Sequence, residues 1–142
     1  MNYQYEPVLL TAEQRREFNE KIVCLIDSGG CGPAGITRND IFNAYTGDGG
    51  LHGLERADYD SYHAYSEAKK EVENGQFFTP PPLCEFVAAC LMLSDMDLVA
   101  DLTCGMGNFF NYVPVPANAY GCELDAKAYK VARYLYPEAN LT

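Results

Sequence analysis

The sequence predicts an α/β fold in which a helical N-terminal region, residues 1–73, precedes a partial doubly wound, Rossmann-like unit, residues 74–142. Two observations lead to this prediction. Apolar residues recur at helical spacing through the first half of the chain. In the second half, short apolar runs alternate with helical segments, as in parallel strands joined by crossover helices. With 142 residues, of which 48% are hydrophobic, the chain has the size of one ordinary domain and enough apolar surface to fold.

Two helices are predicted before residue 46. Thr11 is a favourable N-cap, and Gln14, three residues later, completes a capping box; Ser28-Gly29-Gly30 then ends this helix. A second, shorter helix begins near Thr37, with Asp40 in its first turn. Both helices are expected to bury their larger apolar side chains, which are Phe18, Ile22 and Leu25 in the first and Ile41, Phe42 and Tyr45 in the second.

The segment 59–72 predicts a third helix, whose tyrosines are interpreted as core or interface residues. The glycine-rich segment 46–50 before it lacks the Lys-Ser/Thr pair and the preceding strand of a phosphate-binding loop, so we interpret it as a plain loop. His52 and His63 have no acidic, Cys or His partner at ligand spacing, and we interpret both as packed or solvated side chains.

A fourth helix is predicted after the proline run 80–82. Thr79 is placed to cap it, and prolines are tolerated in its first turn because their missing N–H groups are not needed there. Its apolar residues at helical spacing are expected to be buried; they are Leu83, Phe86, Val87, Cys90 and Leu91.

The sequence from residue 98 predicts a strand, a glycine turn, a helix and a second strand. The two strands are expected near residues 98–102 and 118–123 and to lie parallel, because a helical crossover joins them. Pro114 ends the short first helix, and a helix from about residue 126 to residue 136 follows the second strand. Residues 140–142 stand where a third strand begins.

The glycine turn between these strands predicts a nucleoside site. Gly105 and Gly107 allow the backbone to approach a ligand and present N–H groups at the start of a helix. Glu123, at the end of the second strand, is placed to accept both hydroxyls of a ribose. The dinucleotide fingerprint Gly-x-Gly-x-x-Gly fails at Phe110, so a nucleoside without a pyrophosphate fits better.

Three segments of the chain together resemble motifs X, I and II of N6-adenine-specific DNA methyltransferases. They are Gly75-Gln76-Phe77-Phe78-Thr79-Pro80, Asp101-Leu102-Thr103-Cys104-Gly105-Met106-Gly107-Asn108-Phe109 and Gly121-Cys122-Glu123-Leu124-Asp125. The likeness is closest to enzymes of restriction-modification systems and mobile elements. It covers residues 74–125, extends to the following helix, and is looser before residue 74. It implies a class I S-adenosylmethionine-dependent methyltransferase unit.

The resemblance also implies S-adenosyl-L-methionine as the cofactor. In the family, the Phe-Thr-Pro segment covers the methionine end, the first-strand acid and the glycine turn hold the amino-acid group, and the second-strand acid binds the ribose. Each role suits its residue type: a carboxylate beside an ammonium, N–H groups beside a carboxylate, and a carboxylate beside two hydroxyls. The cofactor-binding residues implied here are Phe78, Thr79, Pro80, Asp101, Thr103, Gly105, Gly107 and Glu123.

The family's catalytic Asn/Asp-Pro-Pro-aromatic loop has no counterpart in this sequence, so no catalytic residue is predicted. The only proline run, residues 80–82, belongs to the cofactor segment. One hypothesis is therefore the cofactor-binding front part of a DNA adenine-N6 methyltransferase, which contacts DNA only through other regions or a complementing subunit. A second is an acidic methyltransferase-like interaction protein that acts on a restriction or methylation complex. Methylation of small molecules or proteins is less favoured, because Phe-Phe-Thr-Pro before a helix is typical of the DNA enzymes.

Charge and cysteine content limit the partners and the compartment. The net charge is −10, with five basic and ten acidic residues in 1–60 and the same numbers in 61–142, so duplex DNA is repelled. Six cysteines without a zinc pattern, and no signal-peptide pattern, predict reduced thiols, no metal site and a cytoplasmic location. No apolar run approaches the length of a membrane span.

A two-stranded sheet with open edges predicts homo-oligomerisation, strand exchange, or covering of an edge by the N-terminal helices or residues 140–142.

Overall fold

The computed structural model describes five parts of the chain, which are residues 3–6, 11–30, 35–45, 56–73 and 78–142. Three sequence features lie outside the described residues. They are the glycine-rich segment 46–50, His52, and residues 74–77, with which the resemblance to motif X begins.

The described residues form five α-helices and one three-stranded sheet. In chain order these are α1 (Ala12–Asp27), α2 (Arg38–Tyr45), α3 (Tyr62–Glu73), α4 (Pro81–Leu91), β1 (Val99–Asp101), β2 (Ala119–Gly121), α5 (Ala126–Leu135) and β3 (Asn140–Leu141). Three short 3-10 helices, Arg56–Asp58, Asn108–Tyr112 and Pro116–Asn118, lie between them. The fold is therefore a mixture of helices and a small sheet, of the α/β kind.

The sheet has the strand order β1-β2-β3, and both pairs of strands are parallel. The parallel arrangement predicted for the first two strands is confirmed. β3 forms where a third strand was expected, and its pairing continues past the strands: Glu123 N–H donates to the Thr142 carbonyl at 3.1 Å, and Thr142 N–H donates to that of Gly121 at 3.0 Å. One predicted route for covering a sheet edge is thus present, because residues 140–142 cover the edge of β2.

The first two helices begin as the sequence predicts. Thr11 and Gln14 form the complete capping box of α1, in which each side chain accepts a hydrogen bond from the other residue's backbone N–H. At α2 the Thr37 hydroxyl accepts from Asp40 N–H at 3.1 Å, and the Asp40 carboxylate accepts from Thr37 N–H at 2.8 Å. Both helix starts therefore satisfy backbone N–H groups that have no partner inside the helix.

The helices α1 and α2 pack on α5 in one hydrophobic core. Ile22 and Leu25 of α1 and the predicted inward residues of α2 are buried there. The helix α5 contributes its predicted face, which consists of Ala128, Val131, Ala132 and Leu135. The glycine-turn region reaches the same core through Met106 and Phe110. The described parts of regions 1–73 and 74–142 consequently share one apolar cluster.

The prediction for α4 is wrong about which side is buried. Leu83, Phe86 and Leu91 are exposed, Phe86 by 65%, while Pro81 and Cys84 are buried instead. The cause is that α4 is apolar around almost its whole circumference, so that its periodicity does not single out one face. The predicted Thr79 cap is also absent, since Pro80 occupies the N-cap position without a side-chain hydrogen bond.

Of the α3 tyrosines interpreted as core or interface residues, Tyr62 is 72% exposed and is therefore not a core residue. Tyr59 and Tyr65 are half-buried, and their rings lie 5.7 Å apart, centre to centre. Among the described elements, α3 has its main contacts with the short helix Arg56–Asp58, which offers little surface for burial. The predicted helix exists, and the Tyr62 ring lies 6.3 Å, centre to centre, from that of Tyr65.

Asn111 joins residues 3–6 to the rest of the fold. Its Oδ1 accepts from Tyr3 N–H at 2.5 Å, and its Nδ2 donates to the Tyr3 carbonyl at 2.8 Å. The Tyr3 hydroxyl then donates to the Leu135 carbonyl at 2.7 Å, and its ring stacks on Phe42. One buried amide thus satisfies both backbone groups of a residue far away in sequence.

We expect Asn111→Ala to destabilise the protein by about 2–4 kcal/mol, because it leaves a buried N–H and a buried carbonyl without partners. Urea unfolding followed by circular dichroism measures the change. The control is Asn118→Ala, which removes one exposed hydrogen bond to the Asp95 carbonyl and is expected to cost about 1 kcal/mol or less. Equal losses in the two variants would contradict the role given to Asn111.

Candidate ligand-binding site

A cleft of about 790 Å³ lies at the carboxyl ends of β1 and β2. Ligands of parallel sheets bind at this edge. Six of the eight predicted cofactor-binding residues line the cleft, and they are Phe78, Thr79, Asp101, Thr103, Gly105 and Glu123. The structure therefore brings together residues from three segments that are distant in sequence.

Gly105 and the ring of Phe78 are in close contact. Gly105 has a φ of +56°, and a Cβ built on it would lie 2.9 Å from Phe78 Cε1. Only glycine suits this position, because any side chain would meet both the strained backbone and the ring. The Phe-Thr-Pro segment and the glycine turn, which the resemblance assigns to one cofactor, are thus adjacent in space.

Gly107 and Pro80 do not line the cleft. Gly107 has a φ of +86°, and a Cβ there would lie 2.8 Å from Phe110 Cδ2 and 3.0 Å from Tyr136 Cδ2. Its small size accommodates two core rings that meet edge to face. Pro80 serves as the N-cap residue of α4. The presence of Gly107 and of Pro80 is therefore explained by packing and by helix capping, without a ligand.

The Glu123 carboxylate holds the glycine turn against the end of β2. Its Oε2 accepts from Gly105 N–H at 2.8 Å, and its Oε1 accepts from Asp125 N–H at 2.7 Å. Each carboxylate oxygen has a second acceptor position, so Glu123 retains capacity for hydroxyl donors. The Gly105 N–H, however, points at Glu123 rather than at a ligand.

Other N–H groups of the turn also donate within the protein. Thr103 N–H donates to Asp101 Oδ1 at 3.1 Å, and Cys104 N–H to the Cys122 carbonyl at 3.0 Å. Gly107 N–H donates to the Cys104 carbonyl at 2.8 Å. With that of Gly105, four N–H groups of the turn thus donate within the protein, whereas the glycine pattern predicts an open row of donors.

Asn108 is a site residue to which the sequence reasoning gave no role. It is 4% exposed, borders the cleft, and donates from Nδ2 to the Thr79 carbonyl at 2.9 Å. This bond ties the Phe-Thr-Pro segment to the glycine turn. Its Oδ1 is buried without a hydrogen-bond partner, which is costly in a folded protein. The signals in the sequence were its place directly after Gly107 and within the segment that resembles motif I.

The charged side chains that line the cleft are acidic wherever the structure describes them. They are Asp101, Glu123 and Asp125, and the described lining residues include no Lys, Arg or His. This surface suits hydroxyl donors and cationic groups and disfavours phosphates. Burial, together with the charges of Asp101 and Glu123, raises the pKa of the Cys104 thiol in the cleft to about 12. That thiol is protonated at neutral pH.

Comparison with protein-family models, with curated proteins and with solved structures finds no match to this chain. Among the residues that the structure describes, no group of His, Cys, Asp and Glu side chains is arranged to hold a metal ion. Within the same ranges, no helix has the length and apolar character needed to cross a membrane. The interpretation of the cleft therefore depends on its own residues.

We expect Gly107→Ala to destabilise the fold more than Gly29→Ala does. Both glycines have positive φ, so each substitution costs about 1–2 kcal/mol in backbone strain. Only Gly107 also has rings within contact distance of the new methyl group, which adds about 1–3 kcal/mol of overpacking. Urea unfolding of both variants measures the difference, and equal losses would show that Gly107 has no packing role.

We also expect the cysteines to differ in reactivity at pH 8. Burial raises the pKa of Cys84 and of Cys104 to about 12, so about one thiol in ten thousand is ionised. Cys24 and Cys90 are exposed and should react with iodoacetamide much faster. Peptide mass mapping after timed labelling gives the order, and labelling in urea provides the fully accessible reference. Cys104 reacting as fast as Cys24 would contradict the buried, protonated thiol.

Proposed function

We propose that this chain is the S-adenosylmethionine-binding part of a DNA adenine-N6 methyltransferase of restriction-modification or mobile-element type. In this proposal the adenine-binding and catalytic groups come from another region or a complementing subunit. The observation that carries it is the contact of Phe78 with Gly105 in a cleft that Glu123 closes at the end of β2. These are the three segments that resemble motifs X, I and II.

The topology supports the class I, Rossmann-like interpretation. A doubly wound sheet of this kind has the strand order 3-2-1-4-5-6, and β3-β2-β1 corresponds to its first half. The fourth strand of such a sheet lies next to β1, at the switch point where ligands bind. The group that orients the target adenine belongs to that fourth strand in the family, so we expect no methyl transfer to DNA by these residues alone.

The cleft fits part of the cofactor better than the rest. Its size falls within the range of about 300–1,000 Å³ that is usual for small-molecule sites. Glu123 has acceptor capacity for ribose hydroxyls, and Asp101 provides a carboxylate for an ammonium or sulfonium group. The cofactor's carboxylate has the weakest fit, since several N–H groups of the turn already donate within the protein. The cofactor would supply an activated methyl group when bound.

Calorimetric titration with S-adenosylmethionine tests the proposal. We expect weak binding, with a Kd above about 1 µM, because one wall of the site is formed elsewhere. Glu123→Ala should weaken binding by about 1.5–3 kcal/mol, since it removes a charged hydrogen-bonding partner. Sub-micromolar affinity would contradict the incomplete site, and no binding at millimolar cofactor would contradict the proposed function.

The control for Glu123→Ala is Glu138→Ala, which makes the same charge change at an exposed position outside the cleft. It should leave the affinity unchanged. Circular dichroism of both variants verifies that each is folded, because Glu123 also holds the glycine turn. If both substitutions weaken binding equally, the effect is one of net charge, and the ribose role of Glu123 is wrong.

A second candidate function is an acidic, methyltransferase-like interaction protein that acts on a restriction or methylation complex. The observation favouring it is that both Glu123 oxygens and the Gly105 N–H are already bound within the protein. The same titration separates the candidates, because an interaction protein of this kind requires no cofactor affinity.

A further inference from the structure

One face of the sheet is apolar and exposed, and we name it the open sheet face. It consists of Leu98, Ala100, Leu102 and Tyr120. Residues two apart along a strand share a face, and Ala100 pairs with Tyr120 across the sheet. Leu98 and Leu102 directly flank β1 at the same two-residue spacing from Ala100. Leu98 is 70% exposed and Leu102 75%. On the opposite face Ala119 and Gly121 are buried, so the core lies on that side.

The same part of the sheet has an unpaired edge. Among the described residues, β1 pairs only with β2, and no strand covers its other side. Parallel sheets occur almost only with both faces covered, because the crossover helices lie on them. An edge strand with a free row of N–H and C=O groups is also a template for a strand from another segment. A segment that fills this place would have to provide both a strand and an apolar cover.

The charges near the open sheet face specify the occupant further. No Lys or Arg occurs between Lys70 and Lys127, a stretch that contains all four residues of this face. Asp95 and Asp97 lie in the exposed turn that leads into β1. Hydrogen bonds from the Ser94 hydroxyl and backbone N–H hold the pKa of Asp97 below its usual range, so its carboxylate is ionised. The occupant should accordingly be basic beside its apolar residues.

We propose that the open sheet face and the free edge of β1 bind a protein segment that adds a β-strand beside β1 and covers the face with apolar side chains flanked by Lys or Arg. A second copy of this chain is disfavoured as the occupant, because it has a net charge of −10 and the same acidic turn. Under the proposed function this edge takes the fourth strand of the sheet, and the segment inferred here would be that strand when a complementing subunit supplies it. The inference itself requires only the open sheet face and the free edge of β1, whatever the cleft binds.

Selection from a phage-displayed library of random segments tests this inference. Segments of about 16 residues are long enough for one strand and two helical turns. Selection uses the full chain, with counter-selection on the Leu98→Glu/Tyr120→Glu double variant. Leu102 is left unchanged because it also lines the cleft. Tyr62→Glu is the matched control, since it places the same charge on an exposed aromatic residue of α3.

We expect the enriched segments to alternate β-branched or aromatic residues with polar ones and to contain several Lys or Arg residues. Leu98→Glu should weaken their binding by about tenfold or more, because it puts a charge into an apolar contact. Tyr62→Glu should have no effect. Binding should weaken several-fold between about 50 and 500 mM NaCl, as salt screens the acidic turn. Residues 99–101 should exchange their amide hydrogens more slowly in the complex.

Three results would overturn the inference. The first is enrichment of acidic segments, or no enrichment at all. The second is binding that Leu98→Glu leaves unchanged although circular dichroism shows the variant to be folded. The third is a dimer of the chain alone, seen by light scattering at low micromolar concentration and abolished by Leu98→Glu, which would identify a second copy as the occupant.

Discussion

The structure of the site depends on hydrogen bonds that continue the β1–β2 pairing beyond the ends of both strands. Cys122 N–H donates to the Asp101 carbonyl, and Cys104 N–H donates back to the carbonyl of Cys122. The next acceptor along the turn is a side chain, because the Glu123 carboxylate accepts a hydrogen bond from Gly105 N–H. These three hydrogen bonds follow one another along the chain, and together they fix the position of the glycine turn relative to the end of β2. The contact between the turn and Phe78 follows from that position.

The same constraint explains why the glycine pattern predicted the place of the turn but not its hydrogen bonds. Gly-x-Gly after a short apolar run indicates a tight turn at the carboxyl end of a strand, and the turn is there. A sequence does not reveal whether a glycine N–H donates to a ligand or to a nearby carboxylate, since both are acceptors of the same kind. Here the Glu123 carboxylate accepts the hydrogen bond from Gly105 N–H. Whether it can do so depends on the distance between the ends of β1 and β2, which the sequence does not specify.

The buried faces of some helices can be predicted from the local sequence, whereas those of others depend on neighbouring elements. For α1, α2 and α5 the apolar residues form one stripe, so that periodicity alone identifies the buried side. In α4 only Glu85 is charged, and two neighbouring apolar stripes compete for the core. The stripe that contains Pro81 and Cys84 is buried, with α4 packing mainly against the short helix Asn108–Tyr112. Burial on an apolar helix is decided by its neighbours, which a single sequence does not specify.

The cleft and the open sheet face meet at the carboxyl end of β1. Leu102 belongs to the open sheet face and also lines the cleft, and Asp101, its neighbour in the chain, lines the cleft from β1. A segment that pairs with β1 and covers Leu102 would therefore also close one side of the cleft. Ligand binding and segment binding would then be coupled, and each would change the affinity of the other by the same factor. Charge opposes mutual strengthening, because Lys or Arg of the segment and a cationic group of the ligand would compete for the same Asp101 carboxylate.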